Sequence, residues 1–299
     1  MMEITSGASV NWFAGEIVGC RVGNIKFDVE VGRYNFNKCH MVLRLKIDHK
    51  AIITITNWAD WLNLLMRKIL SIDTSADFCT VAIVQNGSPL ANESLSMLRG
   101  HAEALIPMVQ KVCADAYTSP SDFDLIGVTV GPGSYTGVRT GIAAARGVAL
   151  VADCPAVGVS SLHATAAAVA PNGSHPILVV LDTRRADYFV QLFGPETTPL
   201  NAPSVMDVEG IGDLIQRYHP IVIGNAVFRL IEEQGTVQMG DFDVFPDDGV
   251  PDPVSVAVIA EKILESGGLS SDTLKPLYLR APEAKIPNRG GRLKNRPGG

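Results

Sequence analysis

The chain repeats one pattern. ILSID at 69–73 is an apolar run ending in an aspartate, and ILVVLD at 177–182 is another. A short polar turn follows each, Asp73-Thr74-Ser75 in the first copy and Asp182-Thr183-Arg184 in the second. A further apolar segment then returns, at 78–85 and at 188–193. The two aspartates stand about 109 positions apart. Apolar runs of this length, bounded by turn residues, predict buried strands. Two strand–Asp–turn–strand units predict two tandem α/β halves, each built on a mixed sheet flanked by helices.

The segments between the repeats fit that reading. Asn86-Gly87 marks a turn into a third strand at 89–95. Residues 100–116 predict a helix, with Ala104, Leu105, Met108, Val109, Val112 and Cys113 on one face. A strand at 125–130, a helix at 137–152, a strand at 156–159 and a helix through 169, capped by Ser160 or Ser161, complete the first half. The second half adds helices at 207–218 and 253–266, with a strand at 220–224 between them.

The loop GPGSYTGVR at 131–139 joins a predicted strand to a predicted helix. Gly131, Gly133 and Gly137 permit positive φ and close backbone approach. The helix start favours an anion, Ser134 and Thr136 add hydroxyl donors, and Arg139 adds fixed positive charge. Two readings follow: a cradle for a nucleotide phosphate, or a tight turn that only packs. No lysine follows as GxxxxGK[ST] requires, and the glycine spacing fails GxGxxG, which disfavours P-loop and Rossmann chemistry. Ser134 is not in a GxSxG context, so a serine hydrolase is unsupported. Asp73 is read either as an acid that positions a metal-bound nucleotide or as a cap of its own turn. Asp182 and Arg184 are read as pairing with each other or capping their own hairpin.

Charge is unevenly spread. Residues 1–65 carry seven Lys/Arg and six Asp/Glu, whereas 285–299 carry five basic residues and no acid. With 25 basic and 31 acidic residues in all, the span 66–284 has a net charge of about −12, too acidic to grip nucleic acid alone. The basic tail at 285–299 reads as disordered. No apolar run approaches the ~20 residues of a membrane span. Five scattered cysteines without a CxxC indicate reduced thiols and a cytoplasmic protein. All three tryptophans lie before residue 66, where composition changes abruptly. Residues 1–65 are therefore expected to be a non-native or disordered extension, with the true start near Met66. The rival is a small β-rich domain with strands at 24–31 and 41–56. The expected halves are 66–170 and 171–284.

Taken in order, ILSIDTS (69–75), HAEALIPMV (101–109), GVTVGPGSYTGVRTGIAAARGVAL (127–150), VGVSSL (157–162), LDTRRADYF (181–189) and PLYLR (276–280) resemble the TsaB (YeaZ) family of tRNA threonylcarbamoyladenosine biosynthesis proteins. That family lies in the actin-like ATPase superfamily, with two ribonuclease H-like subdomains. The resemblance covers about residues 66–285, and 1–65 have no counterpart in it.

The resemblance implies a non-catalytic scaffold, not an enzyme on its own. It supports the catalytic paralogue TsaD, which acts with the ATPase TsaE to place threonylcarbamoyl on the adenosine 3′ of the anticodon. Alone it would be a homodimer, and tRNA would be met only through the complex. Asp73, Gly131, Gly133, Ser134, Thr136, Gly137 and Arg139 would form at most a vestigial nucleotide or anion site. No cofactor is firmly implied, with ATP or ADP only at the subunit interface of the complex. TsaD carries two metal-binding histidines spaced HxxxH; the matching positions here hold Ser161 and Thr165, with His163 between them. No metal is expected. The alternative is a self-sufficient nucleotide-dependent enzyme that uses Asp73, the 131–137 loop and Asp182.

Overall fold

Strand β5 (Lys68–Asp73) is buried from Ile69 to Asp73 and covered on both faces, as a mostly apolar run requires. The structure, a computed structural model, describes residues 67–169, 175–233, 242–245, 249–268 and 274–280, together with the backbone of 18–22, 25–29, 43–47 and 51–55. The tail at 285–299 and most of 1–65 lie outside the described residues.

The chain divides into two units, Met1–Arg67 and Lys68–Gly299. In the first, β1 (Val18–Val22) pairs antiparallel with β2 (Ile25–Val29), and β3 (Leu43–Ile47) pairs antiparallel with β4 (Ala51–Ile55).

The second unit holds two sheets of matching design. β5 pairs antiparallel with β6 (Phe78–Gln85), which pairs antiparallel with β7 (Ser88–Ser96). After α1 (His101–Asp115), β8 (Leu125–Thr129) pairs parallel to the other side of β5. Then α2 (Tyr135–Ala152) leads to β9 (Ala156–Val159), parallel to β8. Past α3 (Ser161–Val169), the scheme restarts with β10 (Ile177–Asp182). β11 (Tyr188–Phe193) and β12 (Ser204–Met206) extend it antiparallel. Following α4 (Val208–Tyr218), β13 (Ile221–Ile223) joins the other side of β10 in parallel. The orders are thus 7-6-5-8-9 and 12-11-10-13. The repeated strand–Asp–turn–strand units are the two central hairpins, so the expected two-sheet α/β architecture is the observed one.

Packing decides where the second half ends. Leu70, Ile72, Ile126 and Val128 face α1 and α2, meeting Leu105, Val112, Ile142 and Ala145. On the opposite face, Ile69, Leu125 and Val157 meet Val256, Ala257 and Ala260 of α6 (Pro253–Glu265). The chain therefore sends its last described helix back to the first sheet. α6 starts where its sequence demands, with Asp252 accepting from the Ser255 amide at 2.8 Å and Pro253 in the first turn. α3 lies between the sheets, giving Leu162 and Ala166 to the second sheet and Ala164 to the first. The second sheet packs its other face on α4 and on α5 (Val227–Glu233).

The sequence pattern predicts neither β12 nor α5, which are three and seven residues long and too short for clear periodicity. It also starts α2 late. Ser134 caps that helix, accepting from the Gly137 amide at 3.2 Å, so Tyr135, Thr136 and Gly137 lie within its first turn.

The contact of α6 with the first sheet is tight, with Ala260 fully buried, and enlarging that alanine must overpack it. Ala260→Leu should lower unfolding free energy by about 1–3 kcal/mol in urea titration. An unchanged midpoint would contradict this placement of α6.

Candidate functional site

Both aspartate turns open on one cleft between the sheets. Its walls are Ser75, Ala76 and Asp77 from the first turn, Pro132 to Thr136 from the glycine loop, Ser161 from α3, and Leu181 to Arg184 from the second turn. Phe189, Asn225 and Gly249 complete it, and it encloses about 370 Å³.

Asp73 does not line this cleft. It lies fully buried beneath it, at the end of β5. One carboxylate oxygen, Oδ1, accepts from the Ser75 amide at 3.0 Å, the Ser75 hydroxyl at 2.6 Å and the Thr129 hydroxyl at 2.5 Å. Oδ2 has no hydrogen-bond partner among the described residues. Burial pushes the Asp73 carboxyl above its usual range, and the Ser75 and Thr129 bonds only partly offset that. The same burial, with Asp73 nearby, pushes the Cys79 thiol up to about 11. From Asp73 a hydroxyl chain reaches the cleft wall, because Ser161 Oγ donates to Ser75 Oγ at 3.0 Å.

The glycines of the loop press against this turn. A Cβ built on Gly133 would stand 2.2 Å from the Ser75 carbonyl oxygen, and one on Gly137 would stand 2.0 Å from that of Thr74. The Ser134 amide donates to the Ser75 carbonyl at 2.7 Å, and Thr74 Oγ1 donates to the Gly137 carbonyl at 2.8 Å. So the close approach that glycine permits is made to the chain's own first turn. Gly131 takes φ 99°, and its carbonyl accepts from the Ser161 amide at 2.8 Å.

The remaining sequence-derived residues divide. Gly133, Ser134 and Thr136 face the cleft, whereas Asp73, Gly131, Gly137 and Arg139 do not line it. Ser134 caps its helix. The Arg139 guanidinium turns back over the Tyr135 ring, 3.3 Å from its centroid, and donates to the Tyr135 carbonyl at 3.1 Å. Asp182 accepts from the Arg184 amide at 2.8 Å and from the Arg229 guanidinium at 2.6 Å. Arg229 also donates to the carbonyls of Arg185 and Asp187 and lies 3.9 Å over the Tyr188 ring, which closes the second turn. Across the cleft Arg184 pairs with Asp77.

Sequence reasoning missed Thr129, Asp77 and Arg229. Thr129 ends β8 two residues before the 131–139 loop, beside Asp73 at the end of the neighbouring β5. The other two are charged surface-type residues whose pairing is visible only in three dimensions.

Residues 90–199 match the family model for TsaD, tRNA N6-adenosine threonylcarbamoyltransferase. The chain is 38% identical over 123 residues to the tRNA threonylcarbamoyladenosine biosynthesis protein TsaB of Escherichia coli K12, covering 41% of this chain and 53% of that protein. The TsaB of Bacillus subtilis 168 is 34% identical over 128 residues, covering 42% of this chain and 54% of its own. The chain spans about half the length of the curated relatives it matches. The fold is that of YeaZ from Pseudomonas aeruginosa, with a TM-score of 0.62 at 22% identity over 72% of this chain and 100% of that one.

Ser161 and Thr165 are buried on α3. His163 turns to the second half, stacking on Phe193 with ring centroids 5.5 Å apart and meeting Thr197 Oγ1 at 3.2 Å. Burial, aided by Lys262, holds it below the usual imidazole range. Among the described residues no three or more His, Cys, Asp or Glu side chains stand together, and no helix is long and apolar enough to cross a membrane.

Because the folded protein holds the Asp73 proton more tightly than the unfolded chain, its contribution to stability is full below the unfolded value and is lost as pH rises through the raised folded value. The Asp73→Asn variant lacks this titration. The stability of wild type relative to the variant is expected to grow from about pH 7 to about pH 4 in denaturant titrations. A difference that shrinks or stays flat toward acid would refute the buried, proton-holding carboxyl.

Proposed function

We propose that this chain is the non-catalytic scaffold subunit of a complex that places threonylcarbamoyl on the adenosine 3′ of the anticodon, in tRNAs that read codons starting with A. Its partners are a TsaD-type catalytic subunit and a TsaE-type ATPase, in the cytoplasm. The similarity to tRNA threonylcarbamoyladenosine biosynthesis proteins supports the pathway. The glycine loop supports the lack of independent nucleotide chemistry, because its close-approach positions are taken by Thr74 and Ser75.

One observation carries the scaffold role. α1 and α2 cover the same face of the first sheet, and beside the exposed Glu103, Gln110, Lys111, Asp115 and Arg146 their outward sides expose small and apolar residues. Ala102 and Ile106 lie one turn apart on α1, and Ala143, Gly147 and Leu150 follow helical spacing on α2. Ile106 is 46% exposed, Val151 65% and Leu150 84%. A Cβ on Gly147 would meet nothing within 4 Å. Small residues let a second helix pair approach closely, and water contact with this much apolar surface is unfavourable. The occupant in this reading is the matching helix pair of the TsaD-type subunit, and a second copy of the chain takes its place when the partner is absent.

Co-purification with the TsaD-type partner, followed by transfer assays on tRNA with each protein omitted, tests the reading. A stable pair and transfer that requires this chain are expected. Gly147→Glu and Leu150→Glu place charge at exposed positions and should weaken pairing more than tenfold without changing the melting temperature. Turnover of a nucleotide by the chain alone, or pairing untouched by both variants, would overturn it.

A further inference from the structure

The face that α1 and α2 turn outward ends in a groove whose charge has the wrong sign for the helices that form it. The groove lies at the C-terminal end of α2 and has a volume of about 410 Å³. Arg146, Ala149, Leu150 and Asp153 line it at helical spacing, and Ala156 and Leu274 line it from β9 and from the 274–280 segment. Leu274 packs on the core of the first half, whereas Leu150 is left 84% exposed.

Asp153 is the C-cap of α2, with φ 50° and ψ 41°, and its amide donates to the Ala149 carbonyl. The Cys154 amide donates to the same carbonyl at 3.1 Å. The last carbonyls of a helix carry its negative partial charge, so an aspartate there is unfavourable by itself. The last turn of α2 holds no basic residue to offset it. α1 ends the same way, on Asp115 and with no basic residue in its last turn. Among the described residues no cation pairs with Asp153. Arg146 stands about two turns back along α2 and donates to the Leu274 carbonyl at 3.2 Å. Lys111 of α1 pairs with Glu93. The Cys154 thiol records the surplus of negative charge, since burial, then Asp124 and Asp153, push it up to about 11.

An apolar groove with unopposed negative charge at one end suits one kind of side chain. It must have a long apolar stem and a cationic head, as lysine and arginine do. The groove also opens on α2 beside Gly147 and Leu150, which meet a partner's helix pair in the scaffold reading.

We propose that this groove anchors the partner interface by taking one lysine or arginine side chain of the TsaD-type subunit, its stem on Leu150 and Leu274 and its head at Asp153 and the last carbonyls of α2. This rests on the scaffold reading and deepens it, because it names the chemistry that the partner must bring. The anchor fixes how far along α2 the partner's helices sit, which small and apolar contacts alone specify weakly.

The test uses the full-length chain and its purified TsaD-type partner, with affinity read by surface plasmon resonance at ~50 and ~500 mM salt. Asp153→Asn keeps a residue that tolerates the left-handed cap. It should weaken pairing about fivefold at the lower salt and less than about twofold at the higher. Asp153→Lys should weaken it more than about tenfold at the lower salt. The melting temperature of the free Asp153→Asn chain should hold or rise, because an acid has left the negative end of a helix. A merely structural role would move affinity and melting temperature down together. Equal affinity for wild type and Asp153→Asn, or a loss that salt does not relieve, would overturn the proposal. So would a fall in melting temperature that accompanies the loss. An effect of Asp153→Asn on self-association alone, read by analytical ultracentrifugation, would overturn it by assigning the groove to a second copy of the chain. Pairing that Gly147→Glu abolishes but Asp153→Asn leaves intact removes the anchor and spares the scaffold reading, whereas absence of pairing by the wild type removes both.

Discussion

The cleft is organised around a carboxylate that never reaches it. Asp73 gathers the Ser75 amide and hydroxyl and the Thr129 hydroxyl onto one oxygen, which fixes the first turn on the ends of β5 and β8. That turn is the surface on which the glycine loop lies. Gly133 and Gly137 meet the Ser75 and Thr74 carbonyls with no room for a side chain. Ser161 then ties α3 to the same turn, and α3 contributes side chains to cores on both sheets. A buried carboxyl is costly unless its bonds are met. Three donors meet one oxygen here, and the raised proton affinity is the physical sign of the remaining cost.

The second turn shows the repeat being held differently. Asp182 occupies the position of Asp73 but is partly exposed, and Arg229 from α5 supplies the tie. The first half uses hydroxyls and a buried acid, and the second uses an ion pair. Arg184 and Asp77 join the two turns across the cleft. The segment containing Tyr278 also touches both halves, through Leu277 to Val130 and through Arg280 to Asp187. Two halves with separate cores thus share one polar seam.

Much of the fold was legible from pattern alone. Apolar runs ending in aspartate located β5 and β10, and Asn86-Gly87 located the hairpin between β6 and β7. Ser160 or Ser161 located the start of α3. Short elements such as β12 escaped because three residues carry no period. The return of α6 to the first sheet escaped because sequence order does not report which sheet a helix covers. At the site, glycines announced close approach but not what approaches, so the loop supported both a phosphate and a packing reading. Arg139 announced charge, but not that its guanidinium would turn back over the Tyr135 ring and carbonyl. The links between residues distant in sequence are what the pattern could not supply.

The central claim is that the loop's close-approach glycines serve the chain's own Thr74–Ser75 turn and not a bound nucleotide. Titration calorimetry of the full-length protein with ATP and magnesium tests it most directly. The account predicts no saturable heat in the micromolar to low millimolar range. A stoichiometric, micromolar isotherm would contradict it, because it would show that the turn gives way to a phosphate.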